Sequence, residues 1–227
     1  MKETAPMNTP VSKEALVIMA RYPEAGAVKT RLARDLGPQG TLRLYRAFID
    51  DLAGKFGSLS RPLIWYYLPV SSPFSQLFSR RFPCRPQSGS SLQERMFRIF
   101  EELFGEGFNR VVVIGADVPH IPADAVDEAF SLLEDADVVL RPSCDGGYHL
   151  IGLKDPWDLF SSIPMSTDRV LRDTIERAAS MGLSVRCQAL SFDVDTIADL
   201  RRLSEFLEST DDPLPRTREA LREVLPG

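Results

Sequence analysis

Six short apolar runs punctuate the chain: ALVIMA (15–20), LIWYYL (63–68), RVVVIGA (110–116), ADVVLR (136–141), YHLIGL (148–153) and LSVRCQAL (183–190). Their length and β-branched content predict strands. The nearly unbroken Val/Ile of the third predicts a strand covered on both faces. Between them the apolar spacing changes to that of helices. Leu42, Tyr45, Phe48, Ile49, Leu52 and Phe56 fall on one face within 38–57. Leu92, Met96, Ile99, Phe100 and Leu103 do so within 91–105. Val126, Ala129, Phe130 and Leu133 form a third stripe with Pro122 near its start. Val170, Leu171, Thr174, Ile175 and Ala178 form a fourth, ended by Gly182, and IADLRRLSEFLES (197–209) is a fifth. These stripes read as core-facing surfaces.

Strands alternating with helices imply an α/β domain with a mostly parallel sheet. Only Pro142 to Gly147 separate ADVVLR from YHLIGL, too few for a crossover helix, so one antiparallel pairing is expected. The polar N-terminal stretch, residues 1–13, is expected to be a disordered leader. Residues 14–208 form the domain, and 209–227 form a Pro-containing connector and a short last helix. No run approaches the roughly 18 apolar residues of a membrane span. The net charge of −5 argues against a general nucleic-acid binder. Cys84, Cys144 and Cys187 are odd in number and widely spaced, which suits neither a disulfide framework nor a zinc site. A reducing cytoplasm fits them best.

Against that acidic background, ARYPEAGAVKTRLARDLG (20–37) gathers Arg21, Gly26, Lys29, Thr30 and Arg31 directly after the first strand. KTRLARDL looks like a short helix, and a helix start surrounded by cations favours an anion. Arg21, Lys29 and Arg31 are therefore candidates for surrounding a pyrophosphate, with Gly26 permitting close backbone approach. Neither G-x-x-x-x-G-K-[ST] nor G-x-G-x-x-G is present, so neither a P-loop kinase nor a dinucleotide-dependent dehydrogenase is supported.

Three further segments carry carboxylates at strand ends. VVVIGADVPHIP (111–122) delivers Asp117 too early to cap the helix that Pro122 would start, and a hard metal on diphosphate oxygens needs such a carboxylate. SFDVDTIADL (191–200) offers Asp193 and Asp195, which in an extended segment point the same way. Thr196 and Asp199 suit a capping box there. One carboxylate of the pair reads as structural and the other as a second metal ligand, the reading leaning to Asp195. In CDGGYHLIGL (144–153), Asp145 and Tyr148 flank a Gly146-Gly147 turn, and Asp145 is a candidate base or sugar-hydroxyl acceptor. His120 and His149 stand in no metal-ligand spacing.

The set ARYPEAGAVKTRLARDLG, GADVPHIP, DGGYHLIGL, STDRVLRDT and FDVDTIADL, in this order, resembles the bacterial nucleotide-diphospho-sugar transferase-like proteins of glycosyltransferase A fold. The resemblance covers residues 15 to about 207. It implies one three-layer α/β/α domain on a mixed sheet, and a nucleotide diphosphate near Arg21, Gly26, Lys29, Thr30 and Arg31. It also implies a divalent metal, Mg or Mn, near Asp117, and donor sugar or acceptor near Asp145, Gly146, Gly147 and Tyr148. Two departures stand out. Ala27 replaces a usual basic residue, and GSSLQERM (89–96) keeps Arg95 but lacks an acidic and a glycine position.

The function implied is metal-dependent glycosyl transfer from a nucleotide sugar to a small-molecule or glycan acceptor. VKTRLA also resembles the KSRLA-type loop of guanylyltransferases. The alternative is thus a nucleotidyltransferase joining a nucleoside triphosphate to a phosphorylated small molecule. A non-catalytic nucleotide-binding protein is the third reading.

Overall fold

A computed structural model describes residues 13–165 and 167–225. The leader expected over residues 1–13 thus lies almost wholly outside the described residues.

The chain folds as one α/β domain on a seven-stranded sheet. Its strands are β1 (Glu14–Arg21), β2 (Leu63–Leu68), β3 (Cys84–Pro86), β4 (Arg110–Gly115), β5 (Val138–Pro142), β6 (Tyr148–Leu153) and β7 (Val185–Cys187). Its helices are α1 (Ala33–Phe56), α2 (Leu92–Gly105), α3 (Ala123–Asp135), α4 (Val170–Ser180), α5 (Ile197–Glu208) and α6 (Pro215–Val224). The strand order is β3-β2-β1-β4-β6-β5-β7. Only β6 runs antiparallel, and it does so against both neighbours, β4 and β5.

Alternation along each strand builds the three layers. Leu16 and Ile18 of β1 join Val112, Ile114, Val139 and Leu150 in a core with α1, α3, α5 and α6. Ala15 and Val17 join Val111, Val113, Val138 and Ile151 in a core on the other face with α2 and α4.

Several local expectations change. KTRLARDL is not helical from its first residue. Lys29 has φ +46°, outside helical space, and α1 begins at Ala33 before kinking at Gly37 (φ 71°), which precedes Pro38. LSVRCQAL contributes a strand only over Val185–Cys187, after which pairing resumes as a single Ser143–Ser191 bridge. Two elements carried no readable signal. β3 is three residues long and ends in Pro86, as an edge strand can. A 3-10 turn over Phe74–Phe78 packs aromatic rings on β2, with Phe74 stacked on Tyr67 at 5.1 Å.

The last helix is anchored on the body of the fold. The buried carboxylate of Asp51, on α1, accepts from the backbone N–H groups of Arg216 (3.1 Å) and Thr217 (2.7 Å) at the start of α6. A side chain of α1 thereby satisfies orphan donors of α6.

Candidate functional site

The topology dictates where a crevice must open. From β1 the chain builds outward through β2 to β3, then returns to place β4 on the other side of β1. The loops leaving β1 and β4 therefore diverge, which leaves a crevice at the strands' carboxyl ends. A cavity of about 400 Å³ lies there. Arg21, Lys29, Thr30, Arg31, Arg95, Asp117 and Asp195 line it, together with Tyr45 and Gln87.

Lys29 is at its centre. Its ammonium donates to Val194 O (2.7 Å) and Asp195 Oδ1 (2.9 Å) and pairs with Asp117 Oδ1 at 2.7 Å. The Lys29 side chain is only 4 % exposed, against 48 % for Asp117 and 45 % for Asp195. Burial alone would pull its pKa down, but the two carboxylates outweigh burial and hold it above the ordinary lysine value. Lys29 is therefore charged.

Each carboxylate is presented by a braced segment. Asp117 follows β4, and its backbone carbonyl accepts from Val194 N at 3.1 Å. The loop beyond it is tied to α1 by Lys55, whose ammonium reaches Pro119 O (3.0 Å), Ile121 O (2.9 Å) and Asp212 Oδ2 (2.8 Å). Pro122 is the N-cap of α3, so Asp117 is free of capping duty. Asp195 precedes the expected capping box, in which Thr196 Oγ1 accepts from Asp199 N and Asp199 Oδ2 accepts from Thr196 N.

The cations around this centre differ in kind. Arg31 is 73 % exposed, with a guanidinium nitrogen 3.8 Å from Asp195 Oδ2. Arg95 donates through Nε to Ser91 O at 2.9 Å, which orients it from the first turn of α2. Ser91 caps that helix by accepting from Glu94 N, while Glu94 accepts from Ser90 N. Tyr45 Oη accepts from Arg21 N at 3.0 Å. Burial, then the Asp117 charge, pushes this phenol far above its usual range, so it stays protonated.

Other predicted residues do not line the cavity. Gly26 is exposed, with φ 80° and no atom of the described residues within 4 Å of where a Cβ would stand, so it serves the turn. Asp193 does not join Asp195: its Oδ1 lies 3.4 Å from His149 Nδ1 at the start of β6. Asp195 instead meets Lys29 in the loop after β1, so carboxylates two residues apart have partners on different segments. The Asp145–Tyr148 turn is also elsewhere. Asp145 Oδ1 accepts from Gly147 N at 3.0 Å, closing the hairpin. Gly146 (φ 86°) is pressed so close to α4's approach that a Cβ would sit 2.0 Å from Asp168 O. Tyr148 is packed inward, and burial pushes its phenol up to about 12. Tyr45 and Gln87 were missed: Tyr45 was legible only as core, and Gln87 follows the unsuspected edge strand β3. Gln87 Nε2 donates to Tyr66 O at 2.9 Å.

Among the described residues no three His, Cys, Asp or Glu side chains cluster as a closed metal site. The Asp117–Asp195 pair nevertheless suits an open one. It already holds a cation, the Lys29 ammonium, and both half-exposed side chains line the cavity. A hard divalent ion takes few protein carboxylates and completes its shell with phosphate and water.

Residues 58–167 match the model of a family described as an uncharacterized protein conserved in bacteria (DUF2064). A solved structure from Desulfovibrio desulfuricans G20, provisionally assigned as a nucleotide-diphospho-sugar transferase, is 31 % identical, with a TM-score of 0.87. The match covers 93 % of this chain and 95 % of that one. The chain belongs to the DUF2064 family of nucleotide-diphospho-sugar transferase-like proteins. A phosphoenolpyruvate guanylyltransferase from Sphaerobacter thermophilus is 28 % identical over 179 residues, 78 % of this DUF2064 chain and 86 % of the relative. A cytidylyltransferase from Leptospira borgpetersenii is 14 % identical with a TM-score of 0.55, covering 94 % of this chain and 93 % of that one. That likeness concerns the fold. The DUF2064 chain thus has a transferase-like fold, and no described helix is long and apolar enough to cross a membrane.

Proposed function

We infer that this chain is a metal-dependent nucleotidyltransferase that joins a nucleoside triphosphate to a phosphorylated small molecule. One observation carries the reading. The crevice between β1 and β4 combines two half-exposed carboxylates with the guanidinium groups of Arg21, Arg31 and Arg95, and the candidate sugar-side carboxylate, Asp145, lies outside it. This reverses the order of the two transferase readings made from the sequence. Glycosyl transfer calls for a group near the anomeric carbon or the acceptor hydroxyl, whereas nucleotidyl transfer chiefly calls for charge stabilisation along a phosphate chain. The guanylyltransferase relative supports the same order.

In this reaction an acceptor oxygen forms a bond to the α-phosphorus as the bond to pyrophosphate breaks. A divalent ion held by Asp117 and Asp195 would polarise phosphate oxygens and offset charge on the leaving group. Arg21, Arg31, Arg95 and the Thr30 hydroxyl supply donors to phosphate oxygens and stabilise charge as it moves to the pyrophosphate. Asp195, rather than Asp193, is the second metal carboxylate in this reading. The free thiols of Cys84, Cys144 and Cys187 suit a cytoplasmic enzyme.

Glycosyl transfer from a nucleotide sugar is the second reading, favoured by the provisional assignment of the 31 % identical relative. Thermal unfolding with Mg²⁺ or Mn²⁺ and panels of nucleoside triphosphates and nucleotide sugars separates the two. A ligand at 100 times its Kd stabilises by about 2.7 kcal/mol. Triphosphate-specific stabilisation, with pyrophosphate release on adding phosphorylated acids, supports nucleotidyl transfer. Stabilisation by nucleotide sugars with release of nucleoside diphosphate supports the second reading. Ligand-dependent stabilisation without turnover leaves a nucleotide-binding protein, and no metal-dependent response to any nucleotide refutes both transferase readings. Asp117→Asn should remove the metal dependence.

A further inference from the structure

The ammonium of Lys29 has three protons, and three acceptors lie within 2.9 Å of it: Asp117 Oδ1, Asp195 Oδ1 and Val194 O. Its hydrogen-bonding capacity is therefore filled. Although Lys29 borders the cavity, its side chain is only 4 % exposed, and it grips the same-named oxygen of each carboxylate. The remaining oxygens, Oδ2 of Asp117 and of Asp195, belong to half-exposed groups that line the cavity. Lys29 also holds a left-handed backbone conformation, φ +46°, which a residue with a Cβ adopts only when its surroundings fix it. To reach a phosphate, Lys29 would have to give up one of these three partners, either a carboxylate or the Val194 carbonyl that completes its hydrogen bonding.

We propose that Lys29 is a positioning residue rather than a phosphate ligand: it clamps Asp117 and Asp195 through their Oδ1 atoms and presents their Oδ2 atoms together to a divalent cation. Phosphate contact then falls to Arg31, Arg95 and Arg21. Among the described residues the Arg21 guanidinium pairs with no carboxylate, and Arg31 approaches one only at 3.8 Å. The proposal rests on the reading of Asp117 and Asp195 as the cation-binding pair.

Inorganic pyrophosphate binding, measured by calorimetry in EDTA, tests the division of labour without metal. Arg31→Ala and Arg95→Ala should each weaken it about tenfold, as loss of a charge-assisted contact does. Lys29→Met removes a nearby positive charge and should weaken it about fourfold through the field alone. The charge-balanced double variant Lys29→Met/Asp117→Asn should return to within about twofold of wild type. A double variant as weak as Arg31→Ala would overturn the proposal, because lost direct contact is not restored by balancing charge.

Mn²⁺ resonance supplies the positioning readout. The spectrum of Mn²⁺ bound to wild type should change in Lys29→Met, whose carboxylates have lost their bridge; an unaltered spectrum would overturn the clamp. No Mn²⁺ bound by wild type, with or without nucleotide, would refute the cation-pair reading itself and the clamp with it. Amine labelling of the wild-type chain, read by mass spectrometry, needs no variant. Lys29 should react far more slowly than Lys154, whose side chain is 35 % exposed, with or without pyrophosphate. Rapid labelling of Lys29 that pyrophosphate suppresses would identify a phosphate ligand and overturn the proposal.

Discussion

Acid should destabilise this fold through one buried imidazole in the Asp117 loop. His120 is 2 % exposed, stacked on Phe192 at 4.2 Å between ring centroids, with Phe206 edge-on at 5.5 Å. Neither ring nitrogen has a hydrogen-bond partner among the described residues. Burial is the main reason its pKa is pulled down to about 3; the charges of His149, Lys55, Arg141 and Arg202 act in the same direction. In the unfolded chain the same imidazole titrates near 6.5. Below that pH the unfolded state gains a proton that the folded state refuses, so stability rises with pH between about 3 and 6.5. The contribution is complete above the unfolded pKa and is lost as the solution is acidified. Each unit below 6.5 is worth about 1.4 kcal/mol, so acidification from pH 7.5 to pH 5 should remove about 2 kcal/mol through this residue.

The assay is urea unfolding of wild type and His120→Phe across pH 4.5–8 at constant ionic strength. Carboxylates titrate in the same range, so the informative quantity is the difference between the two proteins. Phe keeps the stacked ring and removes the titration. Whatever offset its extra volume adds should be independent of pH. The difference should shift by about 2 kcal/mol in favour of the variant between pH 7.5 and pH 5. Parallel stability curves would refute the argument and mean that His120 is protonated, or hydrated, in the folded state. Lys55 ties this loop to α1, so nucleotide binding by wild type should weaken on acidification before global unfolding.

Other substitutions test the remaining assignments. Gly146→Ala should cost about 3 kcal/mol or more in urea unfolding, because its φ of 86° and the 2.0 Å approach of Asp168 O both exclude a Cβ. Asp145→Ala, in the same turn but outside the cavity, should leave metal-dependent nucleotide binding within about twofold of wild type; a tenfold loss would restore Asp145 to the site. Asp51→Ala should cost about 2 kcal/mol by uncapping α6, read as a lower urea midpoint with an unchanged slope.

How much was legible follows from what each signal reports. Periodicity reports burial over several turns, so α2, α3, α4 and α5 and the long Val/Ile strand β4 were readable. Loop length reports direction, so six residues between ADVVLR and YHLIGL predicted the antiparallel β5–β6 pair. The same logic could not reveal that β6 inserts between β4 and β5, because sheet order is decided by contacts distant in sequence. A three-residue edge strand such as β3 buries too little to leave a pattern, and Gln87 was lost with it. Residue type identified the Lys29, Asp117 and Asp195 loops as chemical. Type and alternation could not separate Asp195 from Asp193, since the partner of each, Lys29 for one and His149 for the other, is distant in sequence.

The loop after β1 shows why its cations cannot be counted together. Lys29, Thr30 and Arg31 are adjacent in sequence, and a sum of their charges suggests one positive phosphate cradle. The fold divides them. The left-handed Lys29 backbone sends its side chain inward to two carboxylates, whereas Arg31 remains 73 % exposed. One ammonium against two carboxylates leaves the inner cluster with an excess negative charge, suited to a cation. The outer guanidinium groups face the cavity as a separate, positive shell, suited to phosphate. A metal–nucleotide complex carries both signs in a fixed order, and that is the order the proposed reading asks of these two layers. Ala27, one of the two departures from the family resemblance, is exposed and borders the cavity. In the proposed reading, its lack of charge thins the phosphate-facing layer and leaves the carboxylate clamp intact.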